Sequence, residues 1–210
     1  LEIARRYPNC IVVADEIYDG LDFTGEHVSV ASRSEDVPVV ALNGVSKVYY
    51  APGWRIGYMA LHDPTNRMGL VRDGLERLLR SRLCASTPAQ VGYLAGLEQD
   101  RGWMETYSER VLRRRDHCLK RIAQIDGLEV EQPGGAFYMF VRLTDERWAN
   151  DDKAFVLQLL HEEHVLLVHG SGFSPQLGKG HVRLVYLVTL EVLDEVFDRI
   201  ERFLKKHRGH

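Results

Sequence analysis

The sequence has few cysteines, no long apolar run and little net charge, and each shortage excludes a class of protein. Its 3 cysteines, Cys10, Cys84 and Cys118, form no C-x-x-C pair, which favours reduced thiols in a cytoplasmic protein over a disulfide framework. No apolar run approaches the ~20 residues that cross a bilayer. Because the formal net charge is −3, no basic field is available, and we expect neither nucleic acid nor a membrane as a partner.

The composition is ordinary for a globular chain, with 45% hydrophobic and 27% charged residues and enough length for one large or two small cores. Basic runs at residues 113–115 and 205–208 fall in helical patterns and are expected to be solvated helix faces. His161 and His164 are three residues apart on a predicted helix, but no third ligand is identifiable. A helix surface is therefore favoured over a metal site there, and we predict no metal.

Three apolar segments in the first half predict strands. Residues 11–14 are a β-branched run that ends in Asp15, and they are typical of a buried parallel strand. Residues 38–42 form a second such run just before Ser46-Lys47, and residues 55–61 form a third. Polar groups that follow successive strand ends are typical of an open α/β sheet.

The remainder predicts helices and then an α+β unit. The spacing of apolar residues predicts helix from 65 to 99, with a break near 86–88. A long amphipathic helix is predicted to follow and to end at Gly127. The core face of that helix is predicted to contain Met104, Tyr107, Val111, Cys118, Ile122 and Ile125. Further strands are predicted at 128–131, 136–141, 165–168 and 182–187, and helices at 153–164 and 190–206. We place a domain boundary near residue 103, which divides the chain into 1–102 and 103–210.

Five polar residues in the first half suit pyridoxal phosphate (PLP) as a cofactor. Lys47 could form an imine with it, and Ser46 and Arg55 could hold its phosphate. Asp15 could pair with the pyridinium nitrogen, and Tyr18 could contact the phenolate oxygen. Structural alternatives are a surface loop position for the lysine, a cap or loop salt bridge for the aspartate, and core packing for the tyrosine.

The run Ser46-Lys47-x-x-x-x-Pro52-Gly53-Trp54-Arg55-Ile56-Gly57, with Asp15-Glu16-Ile17-Tyr18 upstream, closely resembles the class I and II aminotransferases, which are fold-type I PLP enzymes. The sequence of residues 43–55 is most similar to that of alanine-type members. The resemblance covers nearly the whole chain and continues through residues 86–90, 133–138, 170–173 and 181–184.

The resemblance implies later strands of a PLP-transferase large-domain sheet over 1–102, followed by a linking helix and an α+β small domain over 103–210. It implies Lys47 as the imine lysine and Arg183 as the clamp for the substrate α-carboxylate. The expected reaction transfers an amino group from an amino acid, with alanine as the candidate, to a 2-oxo acid such as 2-oxoglutarate. A cytoplasmic homodimer is also implied.

Family members are about twice this length, so the resemblance implies the C-terminal half only, and such a half is expected to be inactive by itself. Two other functions remain open. One is a carbon–sulfur β-lyase of the same fold, and the other is a non-catalytic piece that serves only folding or dimerisation. For Arg183, a charge at a strand edge is the structural alternative.

Overall fold

The apolar segments of the first half form a three-stranded sheet in the computed structural model, which describes residues 1–25, 27–99 and 102–208. The chain divides into two units, Leu1–Met104 and Glu105–His210. Over the described ranges, no helix is both long and apolar enough to span a bilayer.

The first unit contains three strands, with one short helix before the first strand and longer helices after the last. The strands are β1 (Val12–Asp15), β2 (Val39–Gly44) and β3 (Gly57–His62). The helices are α1 (Glu2–Arg5), α2 (Gly69–Arg82), α3 (Thr87–Glu98) and the first residues of α4 (Gly102–Ile122). The predicted break near 86–88 is present, because α3 begins at Thr87 with Pro88 in its first turn.

Sheet order is β1-β2-β3, with β1 parallel to β2 and β3 antiparallel to β2. The continuous apolar runs predicted the strands but carried no information on the direction of β3. The connection between β2 and β3, residues 45–56, contains only a short 3-10 turn and no α-helix, which agrees with an antiparallel pair, since a parallel crossover usually contains a helix.

The prediction that residues 11–14 are buried was wrong for one side of the strand. Ala14 is buried, but Val13 is 63% exposed. The physical reason is that successive side chains of a strand point to opposite faces, and at the outer strand β1 the described residues cover the side of Ala14 but not that of Val13. Only the face that packs against described residues is covered.

The second unit is a four-stranded antiparallel sheet with helices. Its strands are β4 (Leu128–Val130), β5 (Tyr138–Leu143), β6 (Val168–His169) and β7 (His181–Val185), in the order β4-β5-β7-β6. Its helices are the rest of α4, α5 (Glu146–Asn150), α6 (Asp152–Glu163) and α7 (Leu190–His207). Strand β6 is shorter than the predicted 165–168, and the sequence reasoning missed α5 altogether.

One face of this sheet belongs to the core and the other is open. Met139 and Val141 of β5 and Val182 and Leu184 of β7 are buried. The alternate residues, among them Phe140 and Arg183, lie directly opposite each other in register on the other face. The predicted core face of α4 is confirmed at Tyr107, Val111, Cys118 and Ile122, and Ile125 just beyond the helix is buried too.

Candidate active site

The residues singled out in the first half meet at one edge of the first sheet. Because β1 and β2 are parallel, their carboxyl ends lie at the same edge, and the antiparallel β3 begins there. Asp15 is the last residue of β1, opposite Leu42 of β2. Arg55 comes two residues before β3 begins at Gly57, which is paired with Gly44. The short connection therefore returns Arg55 to the edge at which β2 ends.

The loop of residues 45–56 carries Ser46, Lys47 and Arg55, and backbone hydrogen bonds close it on itself. Val45 N donates to Ile56 O at 3.3 Å, and Ala51 N donates to Val45 O at 3.2 Å. Arg55 has a left-handed backbone, with φ of 53°, and its Nη1 donates to Pro52 O at 2.7 Å. Residues Pro52–Trp54 of this loop form a short 3-10 helix.

Two glycines allow the strands that flank this loop to approach closely. A Cβ on Gly44 would lie 2.8 Å from Ile56 O and 2.9 Å from Gly57 Cα. A Cβ on Gly57 would lie 2.6 Å from Asn43 O. All three distances are below normal contact, so a side chain at either position would push the base of the loop apart.

Lys47 and Tyr18 are brought together at this edge. Lys47 is half-buried, and its Nζ lies 5.7 Å from the centroid of the Tyr18 ring. Tyr18 precedes the 3-10 turn Asp19–Leu21 that follows β1. The neighbouring phenol ring limits the positions that the lysine amine can occupy. This restriction suits a nucleophile that must meet a ligand in one orientation.

Asp15 and Ser46 present polar groups that nothing else in the described chain uses. Asp15 is exposed, and Ser46 is half-buried. Over residues 1–25, 27–99 and 102–208, neither the carboxylate nor the hydroxyl has a hydrogen bond or ion-pair partner. Together with the exposed guanidinium of Arg55, they offer a carboxylate for a ring N–H and donors for a phosphate.

Asp19 and Asn43, which the sequence reasoning did not single out as a pair, connect the two loops. Asp19 accepts hydrogen bonds from Gly20 N at 2.8 Å and from Asn43 Nδ2 at 3.0 Å. Asn43 Oδ1 in turn accepts from Gly44 N at 2.7 Å. The chain that carries Tyr18 is thereby fixed to the end of β2. The available signal was an acidic residue directly after the tyrosine, facing an amide at a strand end.

An aromatic cluster supports the far side of the lysine loop. The Tyr49 ring lies 5.6 Å from that of Tyr93 and 5.4 Å from that of Trp103, measured between centroids. Tyr49 OH donates to Gly96 O on α3 at 3.4 Å. The residue two positions after Lys47 is thus anchored to the helical part of the first unit.

Arg183 lies on β7 in the sheet of the second unit. Its Cζ is 4.7 Å from the ring centroid of Tyr138 and 4.8 Å from that of Phe173. Its Nε is buried and has no hydrogen-bond partner among the described residues. The predicted alternative of a simple charge at a strand edge does not account for this aromatic enclosure.

Comparisons with known proteins bear on the family of the whole chain rather than on single site residues. The family model for aminotransferase class I and II matches residues 1–200. Glutamate-pyruvate aminotransferase AlaA of Haemophilus influenzae is 36% identical over 216 residues, which cover 99% of this chain and 52% of that protein. Alanine aminotransferase of Mycobacterium tuberculosis is 32% identical over 99% of this chain and 49% of its own length.

Solved structures give the same result. An alanine aminotransferase from Pyrococcus furiosus superimposes with a TM-score of 0.93 at 46% identity, over 98% of this chain and 52% of that one. An aminotransferase from Escherichia coli gives 0.91 at 33% identity, over 100% and 52%. The chain spans about half the length of the relatives it matches. The predicted fold class and resemblance are thereby confirmed, and the chain belongs to the class I and II aminotransferases.

Proposed function

We propose that this chain supplies the cofactor lysine and the C-terminal part of a PLP-dependent aminotransferase. The observation that carries the proposal is the single sheet edge at which Asp15, Tyr18, Ser46, Lys47 and Arg55 are brought together. The names of the similar proteins, glutamate-pyruvate and alanine aminotransferases, support an amino acid such as alanine as donor and a 2-oxo acid such as 2-oxoglutarate as acceptor.

The donor set at this edge fits the cofactor. Lys47 would attach it covalently through Nζ, with Ser46 and Arg55 holding its phosphate. Asp15, which has no partner among the described residues, would accept the pyridinium N–H, and Tyr18 would donate to O3′. When bound, PLP supplies an electron sink for the negative charge that develops at the substrate Cα.

Lys47 would also act as the acid–base group of the site. With PLP and substrate bound, its Nζ would take the proton from the substrate Cα and deliver it to C4′. The closed loop of residues 45–56 and the neighbouring Tyr18 ring keep that amine near one place. A base that is held in reach of both atoms needs no diffusion step between the two transfers.

Arg183 is proposed to bind the α-carboxylate of the substrate. A guanidinium offers a planar fork of N–H donors that matches a carboxylate in two parallel hydrogen bonds.

We assign residues 1–102 to the cofactor-binding large domain and 103–210 to the linking helix and small domain. A homodimer is part of the proposal, and exposed apolar side chains such as Leu70, Leu78 and Leu79 of α2 support an interaction surface. A cytoplasmic location is proposed from the cysteine pattern, which favours reduced thiols.

The proposal is tested by mapping the lysine that PLP modifies. The 210-residue chain is incubated with PLP, reduced with borohydride and digested, and the adduct is located by peptide mass spectrometry. Saturable labelling confined to Lys47, lost in Lys47→Arg and kept in Lys153→Arg, is the expected result, because Lys153 is an exposed lysine outside the site. Labelling spread evenly over the exposed lysines would overturn the assignment of Lys47.

A further inference from the structure

The Arg183 guanidinium is enclosed by aromatic rings from two different elements. Tyr138 is on β5, the strand beside β7, and Phe173 directly follows the 3-10 turn Gly170–Gly172. Both ring centroids are within 5 Å of Cζ, at 4.7 and 4.8 Å. A cation over an aromatic face is attracted by the negative potential of the ring, so each ring favours one position of the guanidinium.

The rings leave the N–H donors of Arg183 unused. Its Nε is buried without a hydrogen-bond partner, and no carboxylate in the described part of the chain pairs with this arginine. Arg142 on the same sheet face differs, because its Nη2 lies 3.3 Å from Glu129. A buried donor without a partner is costly, and it marks Arg183 as a group whose acceptor comes from a ligand.

Phe173 is itself held in place. Its ring meets Phe140 edge to face, with centroids 6.2 Å apart, and Phe140 stacks on His181 at 4.9 Å with only 6° between the planes. Close backbone packing supports the turn before it, since a Cβ on Gly170 would collide with Gly178 O. Phe173 remains 54% exposed, so the enclosure is fixed on one side and open to solvent on the other.

We propose that Tyr138 and Phe173 are positioning residues that preorganise Arg183 for a planar carboxylate. The inference rests on the proposed function, in which Arg183 binds a substrate carboxylate, and it adds two residues that act only through the arginine. Stacked rings restrain a guanidinium without consuming its N–H donors. The donors are left for an acceptor that approaches along the edge of the fork, which is the geometry of a two-point carboxylate contact.

The test uses the 210-residue chain labelled with ¹⁵N-arginine and titrated with pyruvate. The Nε–H resonance of Arg183, assigned by its loss in Arg183→Lys, is expected to move saturably. Phe173→Leu and Tyr138→Leu are each expected to weaken pyruvate binding about two- to fivefold. Phe173→Tyr and Tyr138→Phe, which keep a ring, should restore it. Leu177→Ala, at a side chain 83% exposed in the same segment, should bind like the parent.

The outcomes separate the inference from the function on which it rests. No movement of the Arg183 resonance in the parent chain would overturn both the carboxylate role and the positioning role. Equal pyruvate affinity in the parent and in folded leucine variants would leave Arg183 as the carboxylate ligand and reject the positioning role of the rings. Backbone spectra of each variant establish that it is folded before affinities are compared.

Discussion

Helix α2 of the first unit and helix α6 of the second are both rich in leucine, but they differ in how much of their apolar surface is buried. Helix α6 buries Phe155, Val156 and Leu159, whereas α2 has no buried residue over its whole length. What differs is whether the described chain provides a surface for the apolar face to pack against. An apolar face on a helix thus predicts that this face favours burial. It does not predict that the surface which buries it comes from the same chain.

Leucine-to-alanine substitutions in the two helices give the largest expected contrast. Leu159 is 0% exposed on α6 and Leu79 is 63% exposed on α2. Leu159→Ala should lower the free energy of unfolding by about 2–5 kcal/mol, because it removes buried methyl groups and leaves a cavity. Leu79→Ala should change it by less than about 0.5 kcal/mol. Urea unfolding of both variants measures the pair, and equal losses would refute the contrast.

Within the first unit, the close approach of β2 and β3 is the feature most sensitive to added volume. Gly44→Ala would place a Cβ 2.8 Å from Ile56 O, and we expect a loss of about 1–3 kcal/mol. Gly53→Ala is the matched control, because no atom lies within 4 Å of its added Cβ. Amide hydrogen exchange of β2 reports the local loss. Unchanged amide protection of β2 in Gly44→Ala would mean that the two strands accommodate the added Cβ without a loss of stability.

Sequence patterns predicted most of the elements and the composition of the candidate site. Residue types at strand ends sufficed to place Asp15 and Lys47 at one edge, because strand continuity and turn residues are local properties. The direction of β3, the exposure of Val13 and the aromatic enclosure of Arg183 depend on which segments become neighbours. A single sequence read by its local periodicity contains little information about those contacts.

Two of the three thiols extend the comparison to chemical reactivity. Cys84 is exposed in the first unit, whereas Cys118 is buried in the second, where desolvation raises the pKa of its thiol to about 12. A raised pKa means that the unfolded chain loses this proton first. Stability is therefore intact below the ordinary thiol pKa, near 9.0, and falls as pH rises toward 12, by about 1.4 kcal/mol per pH unit from this group.

The measurement is the free energy of unfolding of the parent and of Cys118→Ala between pH 8 and 11. The rate at which each thiol reacts with a disulfide reagent is measured in parallel. The parent slope should exceed that of Cys118→Ala, while Cys84→Ala should keep the parent slope. Burial also raises the phenol pKa of Tyr186, and the neighbouring Cys118 adds to that rise, so the difference between the parent and Cys118→Ala contains the thiol together with its coupling to this phenol. Equal slopes in the parent and Cys118→Ala would contradict the burial of this thiol.

The smallest expected effect concerns the polar contacts between α4 and α7 in the second unit. Asp194 accepts from Arg121 Nη1 at 2.7 Å and contacts His117 Nε2 at 2.9 Å, and these neighbours, the arginine foremost, lower the pKa of its carboxyl. A depressed folded-state pKa stabilises the protein above the ordinary value of 3.8 and ceases to do so as pH falls through the lower one. Asp194→Asn should therefore cost stability at pH 7 and flatten the acid limb.

Because the Asp194 carboxyl is 45% exposed, solvent screens the pair and the loss should stay below about 1 kcal/mol. The same loss should shrink in high salt, since exposed charges are screened over a few ångströms there. Glu129→Gln, which removes a more exposed ion pair with Arg142, is the matched control and should change stability less. A loss for Asp194→Asn that persists undiminished in high salt would show that its hydrogen bonds, rather than its charge, connect the two helices.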